Sequence, residues 1–122
     1  MSEKPDVDPH MGEVPADLEV TDLVEGEGAE ATSGSTVSVH YVGVAHSSGE
    51  EFDASYNRGT PLQFRLGIGQ VISGWDTGVQ GMKVGGRRQL TIPPEQAYGP
   101  AGGGHRLSGK TLIFVIDLLG TR

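Results

Sequence analysis

The sequence predicts an α+β domain in which a curved antiparallel sheet of five or six strands wraps round one short α-helix. Three observations carry this. Apolar and polar residues alternate in several short runs, clearest at 36–43, 61–66 and 88–92, which is the period of a half-buried strand. The period changes once, at Ile72, Trp75, Val79 and Met82, which fall on one side of a helix. Glycine supplies 20 of the 122 residues with no fixed repeat, well above the usual level of about 7%, as suits a chain of tight turns and close backbone approaches.

Residues 1–17 read as an acidic tail. Pro5, Pro9 and Pro15 interrupt any regular element and apolar residues are sparse, so disorder is expected here and 18–122 is the domain. Leu18, Val20 and Leu23 suggest a first short strand, followed by a polar, Gly-rich loop over 25–35. In the strand at 36–43, Val37, Val39 and Tyr41 take one face, and Ser38 and His40 the other. A turn at 46–51 contains Gly49, and residues 51–55 extend again. Over 61–66, Leu62, Phe64 and Leu66 share a face before Gly67 and Gly69 end the strand. Ser73, with Asp76 three residues on, is compatible with a capping box at the helix start. Gly74, Gly78 and Gly81 each cost that helix about 1 kcal/mol against alanine, so it should be short, held by packing and closely approached by the sheet. A turn at 84–87 leads to a strand at 88–92 that Pro93 and Pro94 stop. After a Gly-rich loop at 97–104, the run at 111–119 is apolar enough to be a central strand.

Composition excludes several kinds of chemistry. There is no cysteine, so disulfides, thiolate nucleophiles and cysteine-bound zinc are ruled out. The net charge of −7 resides in residues 1–30, which carry ten acids against Lys4, while residues 31–122 carry six acids and eight bases. No basic face for nucleic acid is expected, and the adjacent Arg87 and Arg88 are read as a solvated hairpin face. The apolar run 112–116 falls far short of the ~20 residues of a membrane span. Residues 1–6 lack the basic start and apolar stretch of a secretory leader. A cytoplasmic monomer is the expectation.

Enzyme motifs fail in the same way. Gly67-Ile68-Gly69 does not complete a dinucleotide fingerprint, and phosphate-loop, nucleophile-elbow and zinc-protease motifs are missing. The four histidines, His10, His40, His46 and His105, have no metal-ligand spacing, so no metal and no cofactor is expected. Asp53 has no carboxylate partner for paired acid–base work. What remains is a set of seven aromatics: Tyr41, Phe52, Tyr56, Phe64, Trp75, Tyr98 and Phe114. By periodicity alone they are the core of a small domain.

Their local sequences say more. Val39-His40-Tyr41-Val42-Gly43, Glu51-Phe52-Asp53-Ala54-Ser55, the run from Leu66 through Gln70-Val71-Ile72-Ser73-Gly74-Trp75 to Val79, Gly81-Met82-Lys83-Val84-Gly85, Ala97-Tyr98-Gly99 and Thr111-Leu112-Ile113-Phe114 follow one another in order. Together they resemble the FKBP-type peptidyl-prolyl isomerase family over about 18–119. The resemblance implies the sheet-round-helix fold already expected. It also implies a pocket with Trp75 as its floor, and with Tyr41, Phe52, Asp53, Leu62, Phe64, Val71, Ile72, Tyr98, Leu107 and Phe114 as its lining. Tyr98 would donate a hydrogen bond to a substrate carbonyl, and Asp53 and Tyr41 would stabilise the rotated carbonyl or each other. The implied partners are proline-containing peptides and unfolded proteins, with macrolides such as rapamycin as ligands. The alternative is a binding module that holds a proline segment or macrolide without turning it over. Two positions depart from the family pattern: Leu62 stands where many members have an aromatic, and the loop after Tyr98 lacks the usual Ile-Pro-Pro segment, with Leu107 in the isoleucine's region.

Overall fold

The computed structural model describes Lys4, Pro5 and residues 15–122; most of the 1–17 tail lies outside the described residues. The elements run β1 (Glu19–Val24), β2 (Thr36–Ala45), β3 (Glu51–Ala54), α1 (Ser55–Arg58), β4 (Leu62–Arg65), α2 (Ser73–Gly78), β5 (Arg87–Ile92), a 3-10 turn (Pro94–Gln96) and β6 (Leu112–Thr121). The six strands form one sheet in the order β1-β5-β6-β2-β3, with β4 also pairing β2, and every pairing is antiparallel. Register shifts at Asp22/Val24, Ser38/Val39 and Gly43/Val44 bend the sheet as bulges do. Among the described residues no helix is long and apolar enough to cross a membrane.

Alternation decides which face each side chain serves. On β6, Leu112, Phe114, Ile116 and Leu118 join Val37, Val39 and Tyr41 of β2 in the main core under α2. Ile113 points the other way, into a smaller cluster with Val42, Val44 and Ala54. Being apolar on both faces, β6 is the central strand that its composition predicts.

Helix α2 is held by proximity. A Cβ on Gly74 would lie 2.5 Å from Ile92 Cγ2, and one on Gly78 2.7 Å from Leu90 Cδ1, so both glycines let the helix press onto β5. Trp75 and Val79 point into the core. The capping box does not form: Ile72 is the N-cap and no side chain caps the helix. The Asp76 carboxylate instead accepts the Gly67 and Gly69 amides, both at 2.8 Å. These glycines have φ of 85° and 82°, a turn that leaves two amides aimed at one carboxylate.

The arginine pair is a second correction. Arg87 lies opposite Asp117 in the β5–β6 ladder, and its Nε and Nη2 donate to that carboxylate at 2.6 and 3.1 Å. Arg88 lies opposite Asp22 in the β1–β5 ladder; it pairs with that acid and donates to the carbonyls of Gly78 and Gln80. Neither is a solvated face, because cross-strand neighbours supply acids 30 and 66 residues away in sequence. The extension expected over 51–55 stops at Ala54, and Ser55 opens the turn α1, which the sequence did not signal and which ends on Gly59 at φ 69°. His40, on the polar side of β2, stacks on Tyr56 at 4.4 Å and shares a 2.8 Å hydrogen bond with Ser55 Oγ.

Candidate functional site

A cleft of about 430 Å³ opens between α2 and the concave face of the sheet. Seven parts of the chain line it: Tyr41 from β2, Phe52 and Asp53 from β3, Leu62 from β4, Gln70, Val71 and Ile72 from the segment entering α2, Trp75 from α2, Tyr98 from the loop after the 3-10 turn, and Phe114 from β6. Its size and mostly apolar lining are those of a small-ligand or peptide-side-chain site.

The aromatic rings fix one another edge to face. Trp75 meets Tyr41 with centroids 4.9 Å apart at 78°, and Phe114 at 5.2 Å and 87°. Phe52 meets Phe114 at 5.5 Å and 88°. Such arrangements are preferred electrostatically over stacked sandwiches, so each wall ring packs in a favourable geometry against its neighbours. The buried Trp75 indole N–H has no hydrogen-bond acceptor among the described residues; aromatic rings surround it. Gly43 makes the Phe52–Phe114 corner possible, because a Cβ there would lie 2.7 Å from both rings.

The hydroxyl and carboxylate groups of the cleft are satisfied internally, with one exception. The Tyr41 hydroxyl donates to Asp53 Oδ2 at 2.5 Å. Arg58 closes the triangle, with Nη1 to Asp53 Oδ1 and Nη2 to the Tyr41 hydroxyl, both at 2.7 Å. Burial pulls the Asp53 carboxyl up, but these two donors and the guanidinium charge together hold it below the ordinary carboxylate range. Burial, and then the neighbouring Asp53 carboxylate, push the Tyr41 phenol up, so the wall is a carboxylate accepting from a neutral phenol. Tyr98 is the exception. Its ring stacks on His105 at 4.1 Å and 7°, and its hydroxyl makes no hydrogen bond to the described residues. Burial, followed by the Asp53 charge, raises its pKa, which keeps it a neutral donor.

Of the residues expected from the sequence, Tyr41, Phe52, Asp53, Leu62, Val71, Ile72, Trp75, Tyr98 and Phe114 come together in the cleft. Phe64 and Leu107 do not line it: each is only 5% exposed and sits in the core, Phe64 packing against Trp75 at 5.7 Å. Strand alternation put Phe64 on the apolar face, and that face serves both core and cleft. Sequence reasoning missed Gln70, which lies between quoted cleft residues and accepts the Arg65 amide at 2.8 Å. It also missed Arg58, whose role depends on the unforeseen turn α1. A second, smaller hollow of about 240 Å³ lies along β1 and β5, where Arg88 and Asp22 already neutralise each other. Among the described residues no three His, Asp or Glu side chains gather as a metal site would need.

Comparison with known proteins agrees with this geometry. Residues 27–119 match the family described as FKBP-type peptidyl-prolyl cis-trans isomerase. The FK506-binding protein of Streptomyces anulatus is 69% identical over 119 residues, covering 96% of both chains. A probable FK506-binding protein of Corynebacterium glutamicum is 58% identical over 117 residues, covering 96% of this chain and 98% of its own. The crystal structure of AtFKBP13 superposes with a TM-score of 0.77 at 45% identity, covering 89% of this chain and 96% of that one. With an aromatic cleft in the matched region and identities this high over nearly the whole length, the chain belongs to the FKBP-type peptidyl-prolyl cis-trans isomerase family.

Proposed function

We propose that this isomerase turns X–Pro bonds in the cleft over Trp75, and that the cleft walls themselves are the catalyst. The proline ring rests on the Trp75 indole between Phe52, Val71, Ile72 and Phe114, with Leu62 at the side. A planar amide resists rotation by about 18–20 kcal/mol, and uncatalysed X–Pro exchange takes tens to hundreds of seconds. Twisting the bond breaks its resonance, so the twisted amide is less dipolar than either planar form. Water stabilises the planar forms, whereas a dry aromatic cleft does so far less, and the difference favours the transition state.

The observation that carries this reading is the division of the polar groups. Asp53, Tyr41 and Arg58 neutralise one another in a closed triangle, which leaves Tyr98 as the hydroxyl free to donate to a substrate carbonyl. Tyr98 then anchors the chain beside the proline, and the triangle forms a fixed polar wall facing the rotating carbonyl. No proton transfer or covalent intermediate is required. Substrates are proline-containing peptides and unfolded chains. Macrolides of the FK506 and rapamycin type compete for the same cleft, a reading that the names of the relatives support.

Tyr98→Phe removes one hydrogen bond and should lower kcat/KM on a short X–Pro peptide by roughly 3- to 10-fold. Asp53→Ala opens the triangle and should lower it by at least as much. A protease-coupled assay reads both variants; wild-type rates in both would remove these roles.

A further inference from the structure

Lys4 is the one basic residue among the first 30, and it is tied to the rim of the cleft. Its Nζ lies 2.7 Å from Glu51 Oε1 and donates to Asn57 Oδ1 at 2.9 Å. Asn57 Nδ2 in turn donates to Glu51 Oε2 at 2.8 Å, which turns the Asn57 carbonyl oxygen toward the ammonium. The Lys4 ammonium first, and Asn57 second, hold the Glu51 carboxyl below its ordinary range. Two acceptors from different elements thus converge on one cation. Glu51 opens β3, whose next two residues line the cleft. Asn57 immediately precedes Arg58, which fixes the Tyr41–Asp53 wall. The residue after Lys4 is a half-buried proline, Pro5.

We propose that Glu51 and Asn57 form an ammonium subsite beside the proline cleft. The subsite takes a lysine flanking the proline of a substrate chain, and Lys4 of the protein's own leading segment fills it until such a chain displaces it. The inference rests on the reading of the cleft as the X–Pro site and adds a substrate class to it: basic, proline-containing segments. Lysine is preferred over arginine because Asn57 occupies Glu51 Oε2, leaving one carboxylate oxygen where a guanidinium fork needs two. The internal occupant is easily displaced. The Lys4 and Glu51 side chains are 38% and 33% exposed, and pairs of that kind are weak and screened by salt.

The test uses the full chain and a matched set of short X–Pro peptides carrying Lys, Arg or Ala at successive positions flanking the proline. The readout is the ratio of kcat/KM for the Lys peptide to that for the Ala peptide, at low and high salt. At the best position the wild-type ratio should exceed one and fall with salt. Lys4→Ala should raise it by roughly two- to fivefold, the range of an exposed ion pair, and Glu51→Gln should bring it to about one. Lys4 and Glu51 are surface groups, so neither variant threatens the fold. Turnover of the Ala peptide with a ratio indifferent to both substitutions overturns the subsite and leaves the cleft reading intact. A folded chain that turns over none of the peptides overturns both.

Discussion

Gly43→Ala should lower kcat/KM on a neutral X–Pro peptide by roughly 10²-fold, the cost of displacing a positioning surface by about 1 Å. Gly43 lies opposite Asp53 on one side of its strand and opposite Phe114 on the other. Its missing side chain leaves the space where Phe52 and Phe114 meet edge to face. A methyl group there would stand 2.7 Å from Phe52 Cζ and from Phe114 Cε1, closer than carbon atoms approach. Both rings must move, and both are walls of the cleft. The backbone at Gly43 is ordinary strand, since its φ is not among the positive ones, so the substitution strains packing and leaves the main chain in place. The stability cost should be that of modest overpacking, about 1–3 kcal/mol. Far-UV circular dichroism should therefore be unchanged while activity is lost. Wild-type turnover in Gly43→Ala would mean that the Phe52–Phe114 corner does not shape the site.

Asp117→Ala should have the opposite profile: a loss of about 3–5 kcal/mol of folding stability, with the cleft intact in molecules that remain folded. Asp117 is 0% exposed. Its carboxylate accepts two hydrogen bonds from Arg87 and one from the Tyr56 hydroxyl. Burial, and then this carboxylate, push the Tyr56 phenol well above its usual range. Removing the carboxylate strands the Arg87 guanidinium, whose side chain is only 20% exposed. A domain of this kind has a total stability of about 5–15 kcal/mol, so the loss is a large share of it. Asp117 lies on the face of β6 opposite to Phe114, which is why the cleft should survive. Urea unfolding measures the effect through a lower midpoint at an unchanged slope. A shift under about 0.5 kcal/mol would show that the buried pair contributes little beyond what alanine leaves.

Local pattern made the strands and α2 legible. Val37, Val39 and Tyr41 alternate, and Trp75 and Val79 recur at helical spacing. The glycines at 74 and 78, costly by propensity, signalled a helix held by close packing, and their contacts with Ile92 and Leu90 show why. The cleft was legible only through the family resemblance that the short blocks carry; by periodicity alone its aromatics read as core. Features that depend on partners distant in sequence were not. Arg87 and Arg88 read as solvent-facing because nothing near them is acidic; the sheet register brings Asp117 and Asp22 to them. The turn α1 escaped because its four residues carry no apolar period, and with it went Arg58 and Asn57. Phe64 and Leu62 share one strand face and differ only in depth, which period-2 reasoning cannot resolve. The Ser73–Asp76 pair had capping spacing, but the two amides of a positive-φ turn claimed the carboxylate instead.

The activity proposed for the cleft over Trp75 is acceleration of X–Pro rotation. Exchange NMR on a short X–Pro peptide, with catalytic amounts of the full chain and with or without an FK506-type macrolide, tests it most directly. Cis–trans exchange should be far faster than the uncatalysed tens to hundreds of seconds, and the acceleration should vanish when the macrolide fills the cleft. Uncatalysed exchange in the presence of chain shown to be folded would contradict it, and would leave a proline-binding module.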